Sequence, residues 1–150
     1  MGYQKTVSVA LSLDTSAYAD GDLLADTQEI ARAARKKGES VTVKSINIID
    51  KDDQKQPMTL VFLESAQSLG TENAAPSVSD ANTLKVLGHV KVVAGDYQDL
   101  GGASVACLRN VGLQMAAAAG ATSLYVAVIS GGTGTYTAAG VEIDFAFDQN

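Results

Sequence analysis

Apolar and polar residues alternate along much of the chain. In "KTVSVALSL" Val7, Val9, Leu11 and Leu13 share one side, which is the period of a half-buried β-strand. "ESVTVKSINIID" alternates through Val41, Val43, Ser45 and Asn47, and "GVEIDFAFD" sets Val141, Ile143, Phe145 and Phe147 against Glu142, Asp144 and Asp148. "MTLVFLES" and "SLYVAVIS" are continuous β-rich runs. Further strands are expected in "TLKVLGHVKVV" and "GASVACLRNVG". "TQEIARAARKK" fits neither period, although its composition favours helix, and Gly38 ends it. The alanine run of "LQMAAAAG" predicts a short helix over Leu113–Ala119, closed by Gly120. Ser79-Asp80 suits the cap of one helical turn. Roughly seven or eight short strands with glycine-rich joints predict a mainly β fold: a single-domain antiparallel β-sandwich or jelly roll with one or two short helices. Residues 65–82 are long, polar and without period, as expected of a functional loop or a crossing between sheets.

Composition narrows the function. A length of 150 residues suits one domain, and 46% hydrophobic with 19% charged residues excludes a disordered chain. No apolar run reaches the roughly 18–20 residues of a membrane span, so no membrane partner is expected. "MGYQKTVSVAL" lacks the marks of a secretory leader and is expected to begin the fold. A net charge of −6 argues against nucleic acid, whose binding rests on neutralising phosphates. The basic cluster Arg32, Arg35, Lys36 and Lys37 reads first as a solvated face. Cys107, the only cysteine, permits no internal disulfide and reads as a small buried hydrophobe.

Three constellations raise the question of chemistry. Asp50, Asp52 and Asp53 stand in a polar knot, 50–57, between two apolar runs. A calcium loop needs a central glycine and a bidentate Glu at its twelfth position; here no glycine occurs and the twelfth residue is Val61. The knot therefore reads as a solvated corner, where changing the three aspartates together to Asn should alter stability little. Gly132-Thr133-Gly134 after an apolar run imitates a dinucleotide fingerprint, but too few residues stand after Thr137 for the helix and second strand that fingerprint needs. A flexible hairpin tip is expected there. The lone His89 has no partner spacing that picks out a catalytic triad or a zinc site, and reads as an exposed or core-edge strand residue. No cofactor, metal or catalytic residue is expected.

The order of several diffuse motifs along the chain carries a resemblance. They are the Asp20-Gly21-Asp22 turn, "IIDKDDQ" with Asp50-Lys51 and Gln54 ahead of Leu60-Phe62, "TENAAPSVSDANTLKVLGHV" with Asn73, Ser79-Asp80 and Leu87-Gly88, and "AGATSLYVAVISGGTGTYT". In these the chain resembles the small capsid decoration, or cement, proteins of tailed bacteriophages. It departs from that pattern at Glu72-Asn73 and Ala25, where an Asp and a glycine are expected. The resemblance implies a non-enzymatic β-sandwich on the exterior of the virion, made in the cytoplasm of the bacterial host. Its implied partners are the major capsid protein, whose neighbouring subunits it clamps against DNA pressure, and itself, as a homodimer in preference to a homotrimer. A mobile arm of about residues 1–5, the 65–82 loop and the 130–140 tip are the expected contacts, with Tyr3, Lys5, Arg32, Arg35, Lys36, Lys37 and Tyr136 the candidate residues. The alternative is a carbohydrate- or surface-binding jelly-roll module. Tyr97, Tyr125 and Tyr136 are its candidate stacking platforms, although tyrosines so scattered more often pack at strand ends.

Overall fold

The computed structural model describes residues 2–150. Ten strands follow one another: β1 (Tyr3–Ala10), β2 (Leu23–Ile30), β3 (Ser40–Asp50), β4 (Met58–Leu63), β5 (Val86–Val92), β6 (Tyr97–Asp99), β7 (Ser104–Leu108), β8 (Leu113–Ala116), β9 (Leu124–Ser130) and β10 (Val141–Gln149). One helical turn, α1 (Asp80–Thr83), precedes β5, with Ser79 accepting from the Asn82 N–H as the sequence suggested. Sheet A runs β1-β10-β3-β7-β6, with β8 following β7 along the same edge of β3; sheet B runs β2-β9-β4-β5. All pairings are antiparallel. Successive strands β1 to β4 swap sheets, and β9 and β10 swap again, which is the rolled topology of a jelly roll. The fold expected from the pattern is the fold found.

Alternation reports which faces meet water. Strand β10 is buried at every second residue, because sheet A packs on sheet B with one face and is solvated on the other. Phe62 of sheet B meets Phe145 of sheet A edge-on, ring centres 5.6 Å apart, and Phe147 stacks on Phe145. Truncating such a ring costs about 3–5 kcal/mol. Strands β4 and β9 are buried on both faces. The 64–79 segment lies over the outer face of sheet B, its Leu69 completing a second cluster with Leu23, Val61, Leu63 and Ala127. Backbone bonds with Leu23 and the Asp26 carboxylate hold the segment down. That covering role accounts for the apolar runs of β4 and β9.

Two expectations about elements are corrected, and one open segment is resolved. Leu113–Ala119 is not a helix: Leu113–Ala116 forms β8 against Ser40–Val43, with Met115 in the core. Long-range pairing outweighs alanine's helix propensity here. The ambiguous 28–37 segment is the end of β2, through Ile30, followed by a turn, so neither period runs along it. Residues 3–5 are not a free arm, since Tyr3, Gln4 and Lys5 pair with Gln149, Asp148 and Phe147. Met1 lies outside the described residues.

Candidate functional site

The rolled topology gathers connections at the two ends of the sandwich. One end collects 11–22, 51–57, 93–103 and 131–140; the other collects 31–39, 117–123 and the first and last strand residues.

At the first end the aspartate knot and the glycine-rich tip are partners. The Thr137 N–H donates to the Asp52 carboxylate (2.8 Å), the Thr135 N–H to Gln54 Oε1 (3.1 Å), and the Thr133 N–H to Gln56 Oε1 (3.1 Å). Alternate side chains of one loop thus serve alternate backbone donors of the other, an antiparallel ladder built from side chains. A Cβ at Gly132 would collide with Gln56, and one at Gly140 with Asp52. The glycines are there for close approach, and the expected flexible tip is a packed one. From its far side the Tyr18 N–H donates to the Gly134 carbonyl and the Leu13 N–H to that of Ala138.

Asp50 sits beneath the ladder, 1% exposed. Its carboxylate accepts from the N–H groups of Asp52 and Lys55 and, at 3.4 Å, from the Ser104 hydroxyl. Asp53 and Lys55 take left-handed backbone angles (φ 55° and 52°), and Lys55 Nζ bridges Asp53 and Asp99 at 3.2 and 2.8 Å. The hydrogen bond to Asp99 raises the Lys55 pKa, and Lys55 lowers that of Asp99. The expectation of a solvated corner, indifferent to loss of its carboxylates, is therefore corrected. These oxygens are committed to folding the chain.

The tyrosines at this end face inward. Tyr136, nominated as a contact residue, is 3% exposed and packs edge-on against Tyr18. The Tyr97 hydroxyl donates to the Gln56 carbonyl, and that of Tyr18 donates to the Leu24 carbonyl while accepting from the Asp14 N–H. Burial raises the Tyr18 pKa to about 12 and drives those of Tyr97 and Tyr136 higher still, with Asp50 adding to both. Tyr136 is buried and offers no face for stacking a sugar, while Tyr97 is half-buried against the core.

The other end brings together four of the nominated residues. Tyr3 and Lys5 leave β1 on the side that holds Val7 and Val9 deeper in. Arg32 and Arg35 approach from the turn after β2. Arg35 lies over the Tyr3 ring, 3.6 Å from its centre. Lys5, Arg32, Ala34, Arg35, Thr122 and Gln149 line a cleft of about 340 Å³. Lys36 pairs with Glu39 at 3.9 Å, and Lys37 is exposed; neither lines the cleft. The sequence did not single out Thr122 or Gln149. The alternation read in the sequence stopped at Asp148, one residue short of Gln149, and nothing local marks Thr122.

Cys107 is exposed on the outer face of sheet A, against the expectation of burial. It shares a cross-strand row with Asn47, Asp144 and Ser8, so the alternation that buries Ala106 turns Cys107 outward. His89 is exposed on β5, as read.

No protein-family model and no curated protein sequence matches the chain. Among solved structures it is similar to Caldicellulosiruptor saccharolyticus CBM27-1 in complex with mannohexaose, at 8% identity and TM-score 0.39 over 99% of this chain and 67% of that one. It is similar to a chain of deformed wing virus carrying the GFP gene, at 8% identity and TM-score 0.38 over 97% and 75%. A chain of Desmodium yellow mottle tymovirus gives 11% identity and TM-score 0.32 over 99% and 85%. Likeness at this level assigns the chain to no family.

Proposed function

We propose that the chain is a non-catalytic structural module that decorates an assembled tailed-phage capsid, binding its outer surface and bridging neighbouring major capsid protein subunits. The observation that carries this reading is the gathering of Tyr3, Lys5, Arg32 and Arg35 at one end of a chain whose net charge is −6. A positive end on an acidic body orients the molecule on an acidic surface and speeds its arrival there. The segments that resemble decoration proteins also have a physical task. Asp22 holds the Ala19 N–H, Asn73 donates to Asp14, and Asp52 and Gln54 form rungs of the ladder. These hydrogen bonds tie the loops to the sandwich. Self-association as a homodimer belongs to the same reading, with β5, one of the two edge strands of sheet B, as the proposed pairing edge.

Co-sedimentation with expanded, empty tailed-phage capsids tests it. Saturable pelleting that weakens with salt is the expected result. A chain that stays in the supernatant while binding members of a glycan array would replace this reading with the carbohydrate-binding one.

A further inference from the structure

The cleft between Lys5, Arg32 and Arg35 is built with unusual care for a surface feature. Arg32 adopts a left-handed backbone (φ 54°), a conformation that costs a non-glycine residue about 1–2 kcal/mol. It is held there from below. The Gln149 side chain, 5% exposed, donates through Nε2 to the carbonyls of Arg32 (3.2 Å) and Ala33 (2.7 Å). The Ala34 N–H donates to the Thr122 carbonyl at 2.9 Å. The turn carrying both arginines is thereby pinned to β10 on one side and to the 117–123 connection on the other. Stacking on Tyr3 then fixes the Arg35 guanidinium.

The cations so placed are unneutralised. Among the described residues the ion pairs use Lys36, Lys44, Lys55 and Lys85; Lys5, Arg32 and Arg35 take part in none. Clustered like charges on a strained, pinned turn are costly in the free protein, and an anion seated between them relieves the repulsion. Guanidinium forks match carboxylate oxygens in geometry as well as charge. A polynucleotide is a poor occupant, because its affinity needs a long track of cations and the chain as a whole carries a net charge of −6.

We infer that this cleft is a carboxylate-binding site that receives an acidic, extended peptide segment of a partner protein. The inference rests on the capsid reading only for where that segment comes from. Lys5 and Arg35 bind its carboxylates directly, and Arg32 sets the far wall.

The test uses the full chain, ¹⁵N-labelled, titrated separately with hexaglutamate, hexalysine and inorganic phosphate at one ionic strength. Hexaglutamate should move the amide signals of Lys5, 32–35, Thr122 and Gln149, and hexalysine should not. The double variant Lys5→Gln/Arg35→Gln should bind hexaglutamate about tenfold more weakly. A control that removes equal charge elsewhere, Lys51→Gln/Lys91→Gln, should bind within about twofold of the parent. Signals moving elsewhere, or equal losses in both double variants, would overturn the inference. So would phosphate binding as tightly as the peptide, which would make the cleft a site for free anions. Hexaglutamate binding at the cleft without capsid pelleting would keep the cleft and remove the capsid reading.

Discussion

The two ends of the sandwich solve opposite problems with similar residue types. At the laced end, polar side chains are turned onto backbone donors: Asp50, Asp52, Gln54 and Gln56 serve N–H groups of their own loop and of 133–137. At the open end the buried polar side chain, Gln149, fixes a turn so that charged neighbours are left without partners. Polarity at one end is used up by folding, and at the other it is held available. A polar cluster is thus interpretable only once its hydrogen bonds have been assigned. By that measure the aspartate knot is structure, and the arginine turn is where a partner is proposed.

The largest effect separating the two ends should come from Asp50→Ala. It leaves the Asp52 and Lys55 N–H groups and the Ser104 hydroxyl without their acceptor in a buried site. Hydrogen bonds to a charged group contribute about 1.5–3 kcal/mol, so a loss of about 2–3 kcal/mol in urea unfolding is expected. A loss below about 0.5 kcal/mol would return the knot to the class of solvated corners.

Next come the rungs of the ladder. Gln54→Ala and Gln56→Ala should each cost about 1 kcal/mol. Because the rungs share two loops, the double variant should depart from additivity by about 0.5 kcal/mol or more in a double-mutant cycle. Strict additivity would mean that the rungs act independently and that the loops are rigid without them.

Alkaline pH should act on the same end. Tyr18, Tyr97 and Tyr136 all hold their protons more tightly when folded, chiefly through burial. An unfolded tyrosine releases its proton near pH ~10. The contribution of these residues is therefore complete below that pH, and it declines as pH rises toward about 12 for Tyr18 and beyond for the others. Tyrosinate absorbance should then rise together with loss of the β-sheet circular dichroism signal. Ionisation of the buried tyrosines in a protein that keeps its fold would contradict this.

How much of this was legible depends on how far apart the interacting residues lie. Strands β1, β3 and β10 were readable because one wet face imposes a period of two along the strand itself. Strand β2 was not, since its bulges break the period, and β8 was masked by alanines whose local preference yields to pairing with residues more than seventy positions away. The knot's partners are equally distant: Asp52 meets Thr137 across 85 residues. One signal was present. Acceptors at 52, 54 and 56 share the two-residue spacing of the threonines at 133, 135 and 137, a match that gains meaning only when the two segments are known to be neighbours. At the open end, composition singled out the basic turn, but nothing local separates Arg32 and Arg35, which face the cleft, from Lys36 and Lys37, which do not.

The smallest expected effect on stability is also the sharpest test of the contrast. The 31–39 connection contains two left-handed residues, Arg32 (φ 54°) and Gly38 (φ 73°). Gly38 is glycine for a visible reason, because a Cβ there would stand 3.3 Å from the Ala119 Cα. Arg32 has no such crowding and keeps a side chain in spite of the backbone cost. Replacing it by glycine relieves strain of about 1–2 kcal/mol but gives the unfolded chain more freedom, worth about 0.5–1 kcal/mol. Arg32→Gly should therefore unfold within about 1 kcal/mol of the parent, on the stabilised side, while its affinity for hexaglutamate falls. Gly38→Ala should destabilise and leave the affinity unchanged. If Arg32→Gly lost stability instead, the arginine would be serving the fold, and the division of labour between the two ends would fail at the residue chosen to represent it.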